Sequence, residues 1–523
     1  MSSIPDWPAA SGPRVLTLVG NDLTIDTRAR KTASSLARAG FSVIAIGIDP
    51  SGAIDRTEEL DGARFVRVTP SLDSRISTRA IRLSRPELRD ALRFRLEMRR
   101  QRLQMRRRAF TARRVREAET TPRWMDAIGN LGAAFSRFIG IPDERRNAVR
   151  ERVNRYLRRV RNTFLLGPGR ATLVADQRLT QAMTIAYKSL AKPPTSARRR
   201  GDWRRDLPEL HRYEAAIGSM VDALDPDLIH CHDIFHLGLA ARAKARRLAE
   251  DEDLKIVYDA HEFIAGLPSD PVRRAAYTDL ESEYFSNADA VVTVSESLAD
   301  LLEERYGTRP DIVMNAPDTE TIRETAPLRS VAGLSEESRM ITYVGGIAPH
   351  RGAETLLDSM LIMPADVHLV FVSNSTTGYV AKLLEIAAGI GIEDRVHLAP
   401  YVEPEAVVSY IRSADLSVIP LSRDVVNYEV ALPNKLFQSI HAGVPVAVSD
   451  NPEMARFVTE HGVGEVFEGG NPESMAGAIM KVLEDLDHYR SIVSEPALLD
   501  SLSWQQQATS LMKVYSSLGV SAP

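Results

Sequence analysis

Cysteine occurs once in this 523-residue chain, as Cys231. A single thiol excludes an intramolecular disulfide and any cysteine-rich zinc site, so stability is expected from packing and the compartment is expected to be reducing. Long apolar runs are missing as well, and no stretch approaches the roughly 18 residues of a membrane span. The start, MSSIPDWPAASGPRV, lacks a basic segment followed by an apolar one, as a secretory leader would have. These absences predict a cytoplasmic protein. A composition of 44% hydrophobic and 26% charged residues predicts a globular chain of two or three domains.

Net charge is low, −4, but it is unevenly spread. Residues 71–205 hold about 35 Lys/Arg against about 12 Asp/Glu, so this stretch is strongly positive and the remainder strongly negative. Two kinds of surface are therefore expected on one chain.

Residues 14–68 read as strand, helix, strand, strand: VLTLV is a short apolar run, TRARKTASSLARAG has helical spacing with a stop at Gly40, and FSVIAIGI follows. The pattern resumes after the basic stretch with LIHCH, KIVYDAHE and DAVVTVS. A second series runs through MITYVGG, VHLVFVS, RVHLAP, LSVIPL and VPVAVS. Continuous apolar runs alternating with helix-length segments suit parallel sheets covered on both faces. The expected fold class is α/β, with two Rossmann-like doubly wound domains facing a cleft and a basic helical insertion in the first. The boundaries read as 1–70 plus 206–325 for the first domain, 71–205 for the insertion, 335–500 for the second domain, and 501–523 for a C-terminal helix crossing back to the first. Ligands of open parallel sheets bind beyond the carboxyl ends of the strands.

Beyond the first strand of the second series, Gly345-Gly346-Ile347-Ala348-Pro349-His350-Arg351-Gly352 opens a helix. A glycine pair lets backbone amides approach an anion, the helix start favours negative charge, and Arg351 offers a forked donor. The same glycines would also serve a bare strand-to-helix turn. Further on, Pro433 is expected to start a helix with Asn434 and Lys435 in its first turn and Gln438 one turn later. A cation in a first turn opposes the helix dipole unless an anion arrives there, so Lys435 reads as a phosphate contact or as a solvated surface lysine.

YVGGIAPHRG followed by ALPNKLFQSIHAGVPV resembles the donor half of the family 4 glycosyltransferases, which have the GT-B fold; DPDLIHCHD, YDAHE, ADAVVTVSESLADLLEERYG and SWQQQ match too. The resemblance covers roughly residues 13–68 and 205–520. It implies retaining, metal-independent transfer of a sugar from a nucleotide-diphosphate sugar to a hydroxyl of a glycan or lipid-linked acceptor, in surface polysaccharide or glycolipid synthesis, with no cofactor. Carried over by position, the donor-binding set is Gly345, Gly346, Arg351, Asn434, Lys435 and Gln438. Three departures stand out: Gly346 replaces a diphosphate-binding arginine, Val430 replaces the first of two paired glutamates with Glu429 out of register, and Gln438 replaces the second. Lys435 is positioned to supply the cation lost at Gly346.

His230, His232 and Asp233 close one strand of the first domain, and His261 and Glu262 the next. Alternating His230 and His232 could converge on a metal, or His230 could simply pack in the core; no metal site is expected. The resemblance implies a cleft role for His232 and Glu262 beside the reacting groups, and Asp233 joins them as a catalytic candidate. Asn21, Asp26, Arg28 and Lys31, with His261, form the expected acceptor side, against the alternative of a surface charge cluster.

In the basic insertion, Trp124, Ile128, Leu131, Phe135 and Phe138 recur at helical spacing. This pattern suits an interfacial helix on anionic lipid, packing on the catalytic domains, or an oligomer contact. Nucleic acid is disfavoured for want of a binding motif. Competing readings of the whole are a catalytically weak GT-B scaffold at the inner face of the membrane and a sugar-nucleotide epimerase.

Overall fold

A computed structural model describes residues 4–24, 26–52, 56–70, 201–249, 252–373 and 378–523. The basic stretch to residue 200, with the Trp124–Phe138 pattern, lies outside the described residues.

The first sheet has eight strands in the order β3-β4-β2-β1-β5-β6-β7-β8. They are β1 (Arg14–Leu18), β2 (Ser42–Ile48), β3 (Thr57–Leu60), β4 (Ala63–Val68), β5 (Leu228–His232), β6 (Lys255–Ala260), β7 (Ala290–Thr293) and β8 (Asp311–Ile312). All pairings are parallel except β3 with β4. Every residue of β2 and β5 is buried, as expected of strands covered on both faces.

One face of the sheet is covered by α1 (Thr27–Arg38), where Ala29, Ala33 and Leu36 pack on Val15, Val43 and Phe65. The other face is covered by α2 (Pro208–Leu224), α3 (Leu237–Ala249), α4 (Pro271–Tyr284) and α5 (Glu296–Tyr306). Asp26 caps α1 by accepting from the Ala29 amide, and Ser295 caps α5 through Leu298.

The second sheet is parallel throughout, in the order β11-β10-β9-β12-β13-β14, from β9 (Arg339–Val344), β10 (Val367–Val372), β11 (Val396–Ala399), β12 (Leu416–Ile419), β13 (Val446–Ser449) and β14 (Gly464–Phe467). Its helices include α6 (Ala353–Met360), α7 (Asn434–His441) and α8 (Pro452–His461). Pro433 is the extended N-cap of α7, at φ −73° and ψ 145°, rather than its first helical residue.

The last helix, α9 (Trp504–Ser517), returns to the first domain. Trp504, Leu511, Val514 and Tyr515 join the core on the α1 face, and Trp504 Nε1 donates to Ser35 Oγ at 2.8 Å. The segment that follows β8 is tied down by Lys31, which donates to Asn315 Oδ1 at 2.9 Å and to the Ala316 carbonyl.

The loops beyond β6 and β7 meet the loop beyond β12. The Phe263 amide donates to Asn427 Oδ1 at 2.7 Å, and Ser295 Oγ donates to the Val430 carbonyl at 2.5 Å. The carboxyl ends of the two sheets therefore face each other.

Candidate active site

On the second domain, β9 is followed at once by Gly345, whose φ of +102° strongly favours glycine. A side chain there would come within 3.9 Å of Lys435 Cε, and one at Gly346 within 3.6 Å of an Arg351 nitrogen. Both distances are ordinary contacts, so the glycine pair lies directly beside the two cations Lys435 and Arg351. Gly352, at φ +73°, caps α6 and passes so close to the Pro420 carbonyl that a Cβ would stand 1.9 Å from its oxygen.

Lys435 is buried at the start of α7, with its ammonium over the Tyr343 ring at 4.3 Å from the centroid. Its Nζ has no hydrogen-bond partner. Burial, with the Arg351 charge adding to it, pushes its pKa down to about 7. Asn434 is exposed, and Gln438, half-buried one turn further, sits on the same helix. The Arg351 guanidinium rests on the Gly346 carbonyl at 3.3 Å. Val430, in the place of the first paired glutamate, packs against the core of the first domain.

On the first domain, pairing of β5 with β6 sets His230 opposite Val257 and His232 opposite Asp259. Alternation then puts His230, His232, Asp259 and His261 together. Asp259 accepts from Arg28 at 2.9 Å (Nε) and 2.7 Å, and lies 3.1 Å from His230 Nε2 and 3.1 Å from His261 Nε2. His232 Nδ1 lies 2.8 Å from His261 Nε2. His230 Nδ1 meets the Tyr515 hydroxyl of α9 at 2.7 Å.

This cluster sorts its charges. Burial works against the Asp259 carboxylate, but Arg28 and His261 overcome it and hold the group well below the usual range. His232 is pushed well below the ordinary histidine value by burial and by its two histidine neighbours. Burial would also lower His261, but Asp259 and Asp233 outweigh it and raise its pKa to about 9. Burial raises the Asp233 carboxyl to about 7. Asp233 holds φ +55° and ψ −175°, a conformation other residues than glycine rarely adopt, and its Oδ1 accepts from the His261 amide at 3.1 Å. Glu262 is exposed on the cleft wall. The surrounding protein raises its carboxyl, while His261 and Arg351 pull it down, so the Arg351 charge of the second domain reaches across to it.

His230, His232 and Asp259 are close enough to one another to share a cation. Most of their donor set is already committed: Arg28 occupies both Asp259 oxygens, Tyr515 meets His230 Nδ1 and His261 occupies His232 Nδ1, which leaves His232 Nε2 as the unpartnered ring nitrogen of the three. These residues fit a hydrogen-bonded network better than a metal cage.

The structure relocates part of the expected acceptor side. Arg28 is 1% exposed, locked on Asp259 and the Val313 carbonyl, and so is not on the cleft surface. Lys31, half-buried at 4.7 Å from the Trp504 ring centroid, donates to Asn315 and the Ala316 carbonyl, and the loss of solvation lowers its pKa to about 7. Asn21 donates to Asp26 Oδ2 at 2.8 Å, so this pair shapes the loop beyond β1. Nearby, a cavity of about 400 Å³ joins Thr24, Thr27, Arg30, Glu58 and Arg67 to Arg323, in the segment leading to the second domain, and to Glu405 of that domain. Sequence reasoning missed Asp259, although its alternation with His261 in YDAHE was a usable signal. It also missed Asn427, Arg30 and Glu58, whose partners are distant in sequence.

The chain matches Glycosyl transferases group 1 over residues 325–495 and Glycosyltransferase Family 4 over residues 151–321. It belongs to the family 4 glycosyltransferases. Among curated relatives of this chain, the D-inositol 3-phosphate glycosyltransferase of Geodermatophilus obscurus is 27% identical over 252 residues, which is 45% of this chain and 54% of that protein. The protein of the same name from Nocardia farcinica is 25% identical over 314 residues, covering 55% and 66%. The chain thus spans from about half to two thirds of these relatives' length. The sucrose-phosphate synthase of Thermosynechococcus elongatus superposes with a TM-score of 0.61 at 13% identity, covering 97% of this chain and 99% of that one. HepE of Anabaena, in complex with UDP-glucose, gives 0.53 at 14% identity, covering 97% and 100%. These two likenesses establish the GT-B fold.

Proposed function

We propose that this glycosyltransferase moves a sugar from a nucleoside-diphosphate sugar to a hydroxyl of a glycan or lipid-linked acceptor, with retention of configuration and without a metal. The observation that carries the reading is Lys435, a buried cation with no anionic partner beside the Gly345–Gly346 backbone. A diphosphate would complete it, and Arg351 would share the charge. Asn434 and Gln438 then flank the nucleotide, with Gln438 offering an amide to the ribose hydroxyls. The occurrence of UDP-glucose in HepE supports a nucleotide sugar as the donor.

Opposite the diphosphate, His232 would hydrogen-bond the donor sugar or its leaving oxygen, and Glu262 and Asp233 would orient the acceptor hydroxyl. The leaving diphosphate would take the acceptor proton on the same face. The cavity by Thr24, Arg30 and Arg67 would hold the outer part of a polar acceptor. Its three arginines, Arg30, Arg67 and Arg323, are matched by Glu58, Glu403 and Glu405, which favours a polyhydroxylated group over a bare anion.

Calorimetry with UDP and other nucleoside diphosphates tests the donor site. Binding is expected for wild type and a loss of at least about tenfold for Lys435→Ala and for Arg351→Ala, since hydrogen bonds to charged groups contribute about 1.5–3 kcal/mol each. Unchanged affinity in both variants would remove the site. Release of nucleoside diphosphate from a nucleotide sugar only when an acceptor is present separates transfer from epimerisation.

A further inference from the structure

One atom of the histidine cluster has no partner: His232 Nε2 is buried and makes no hydrogen bond. Its other ring nitrogen is 2.8 Å from His261 Nε2, which is itself 3.1 Å from Asp259 Oδ2. We propose that His261 is a positioning residue that donates to His232 Nδ1, fixing His232 as the Nε2–H tautomer so that this hydrogen is presented to a substrate oxygen.

The donor assignment follows from the neighbours. Asp259 Oδ2 sits 3.1 Å from His261 Nε2, and a lone pair facing a carboxylate at that distance would be repelled, so this nitrogen carries a proton. The proton is shared between the carboxylate and the nearer His232 Nδ1, which must then accept. A neutral ring that accepts at Nδ1 carries its hydrogen on Nε2. Among the described residues, the titratable or charged groups that act on His261 include Asp259, Asp233, His232, His230, Arg28 and the adjoining Glu262. The two nearest carboxylates keep it protonated, while His232 stays neutral between two other rings. Arg28 at the far side of Asp259 holds that carboxylate in place with two hydrogen bonds, so Arg28, Asp259, His261 and His232 form a chain ending at a free N–H. A buried N–H left without an acceptor is destabilising, and a substrate oxygen would satisfy it.

The chemistry at the end of the chain rests on the transferase reading, whereas the tautomer does not. The test therefore begins without substrate, on the full chain labelled with 15N-histidine, using long-range 1H–15N correlation and a His232→Gln variant for assignment. The expected spectrum shows His232 with a protonated Nε2 and a bare Nδ1, and His261 protonated on both nitrogens until pH nears 9. His232 found with its proton on Nδ1, or His261 losing its charge near the ordinary value of about 6.5, would overturn the proposal. In His261→Phe the fixed tautomer is expected to give way to a mixture; retention of pure Nε2–H would also overturn it. Asp233→Asn, which keeps the acceptor for the His261 amide, is expected to shift the His261 midpoint downward, and an unmoved midpoint counts against the chain. In the transfer assay, His261→Phe is expected to lower kcat by about tenfold or more with KM changed less than about threefold, as for other groups that orient a reacting histidine. A fall confined to KM would contradict a positioning role even if transfer itself is established.

Discussion

A lysine buried without an anion lowers the stability of the free protein. Lys435 has a folded pKa near 7 against about 10.5 when unfolded, so the unfolded chain binds more protons between those values. Stability should therefore rise as pH is raised from about 7 toward 10. Lys435→Met, which keeps the bulk and removes the charge, is expected to raise the melting temperature at pH 7 by a few degrees while abolishing nucleotide binding. A lower melting temperature in this variant would mean that the ammonium already has a partner. The same residue gives binding a pH dependence of opposite sign. A diphosphate binds the charged form, so affinity should weaken by up to about tenfold per pH unit above pH 7, and Lys435→Ala should flatten the profile. Arg28 is a different kind of buried cation, because both its partners are present. Arg28→Ala strands the Asp259 carboxylate and should cost about 3–5 kcal/mol, read from denaturant unfolding. Normal stability with a raised acceptor KM would instead return Arg28 to the cleft surface.

At the scale of elements, the apolar runs that marked strands from the sequence are the strands of the structure wherever both faces are covered. LIHCH became β5 without a shift of one residue, and the second series placed β9 to β13 in order. What escaped was partly exposed or very short. β3 reads TEEL and lies antiparallel at an edge, β8 is two residues long, and β14, GEVF, is signalled by little beyond its glycine. That glycine is structural: a Cβ on Gly464 would stand 1.8 Å from the Val446 carbonyl oxygen of β13. Gly464→Ala is expected to break the β13–β14 pairing and lower the melting temperature; a neutral substitution would show that the two strands can separate without consequence. The clefts of such folds are less legible. His232, Lys435 and the glycine loop could be singled out because their elements could be predicted, but the burial of Arg28 depends on Asp259, 231 residues away, and no local pattern carries that distance.

The whole molecule is built so that its first domain closes late. Trp504 and Tyr515 sit in the same core as Val15 and Phe41, and Tyr515 also touches His230, so one face of the first sheet is completed by the last residues of the chain. Removing a buried Trp or Phe to alanine costs about 3–5 kcal/mol, and a whole fold is stabilised by only about 5–15. A chain ending at Leu502 should therefore lose the first domain, seen as protease sensitivity between residues 14 and 68, and an intact first domain in that truncation would deny α9 a structural role. Charge sets the second property at this scale. The surplus of about 23 positive charges in residues 71–205 faces a remainder near −27, so a net value of −4 says little about what the protein meets. The proposed acceptor, if lipid-linked, would lie in an anionic surface, where each Lys or Arg that reaches it contributes about 1 kcal/mol, screened within about 10 Å at 0.1 M salt. Co-sedimentation with vesicles containing phosphatidylglycerol is expected at low ionic strength and its loss at about 0.5 M salt, with neutral vesicles unbound throughout. Failure to bind anionic vesicles at low salt would leave the basic stretch to contacts between copies of the chain, which a concentration series in analytical ultracentrifugation would then detect.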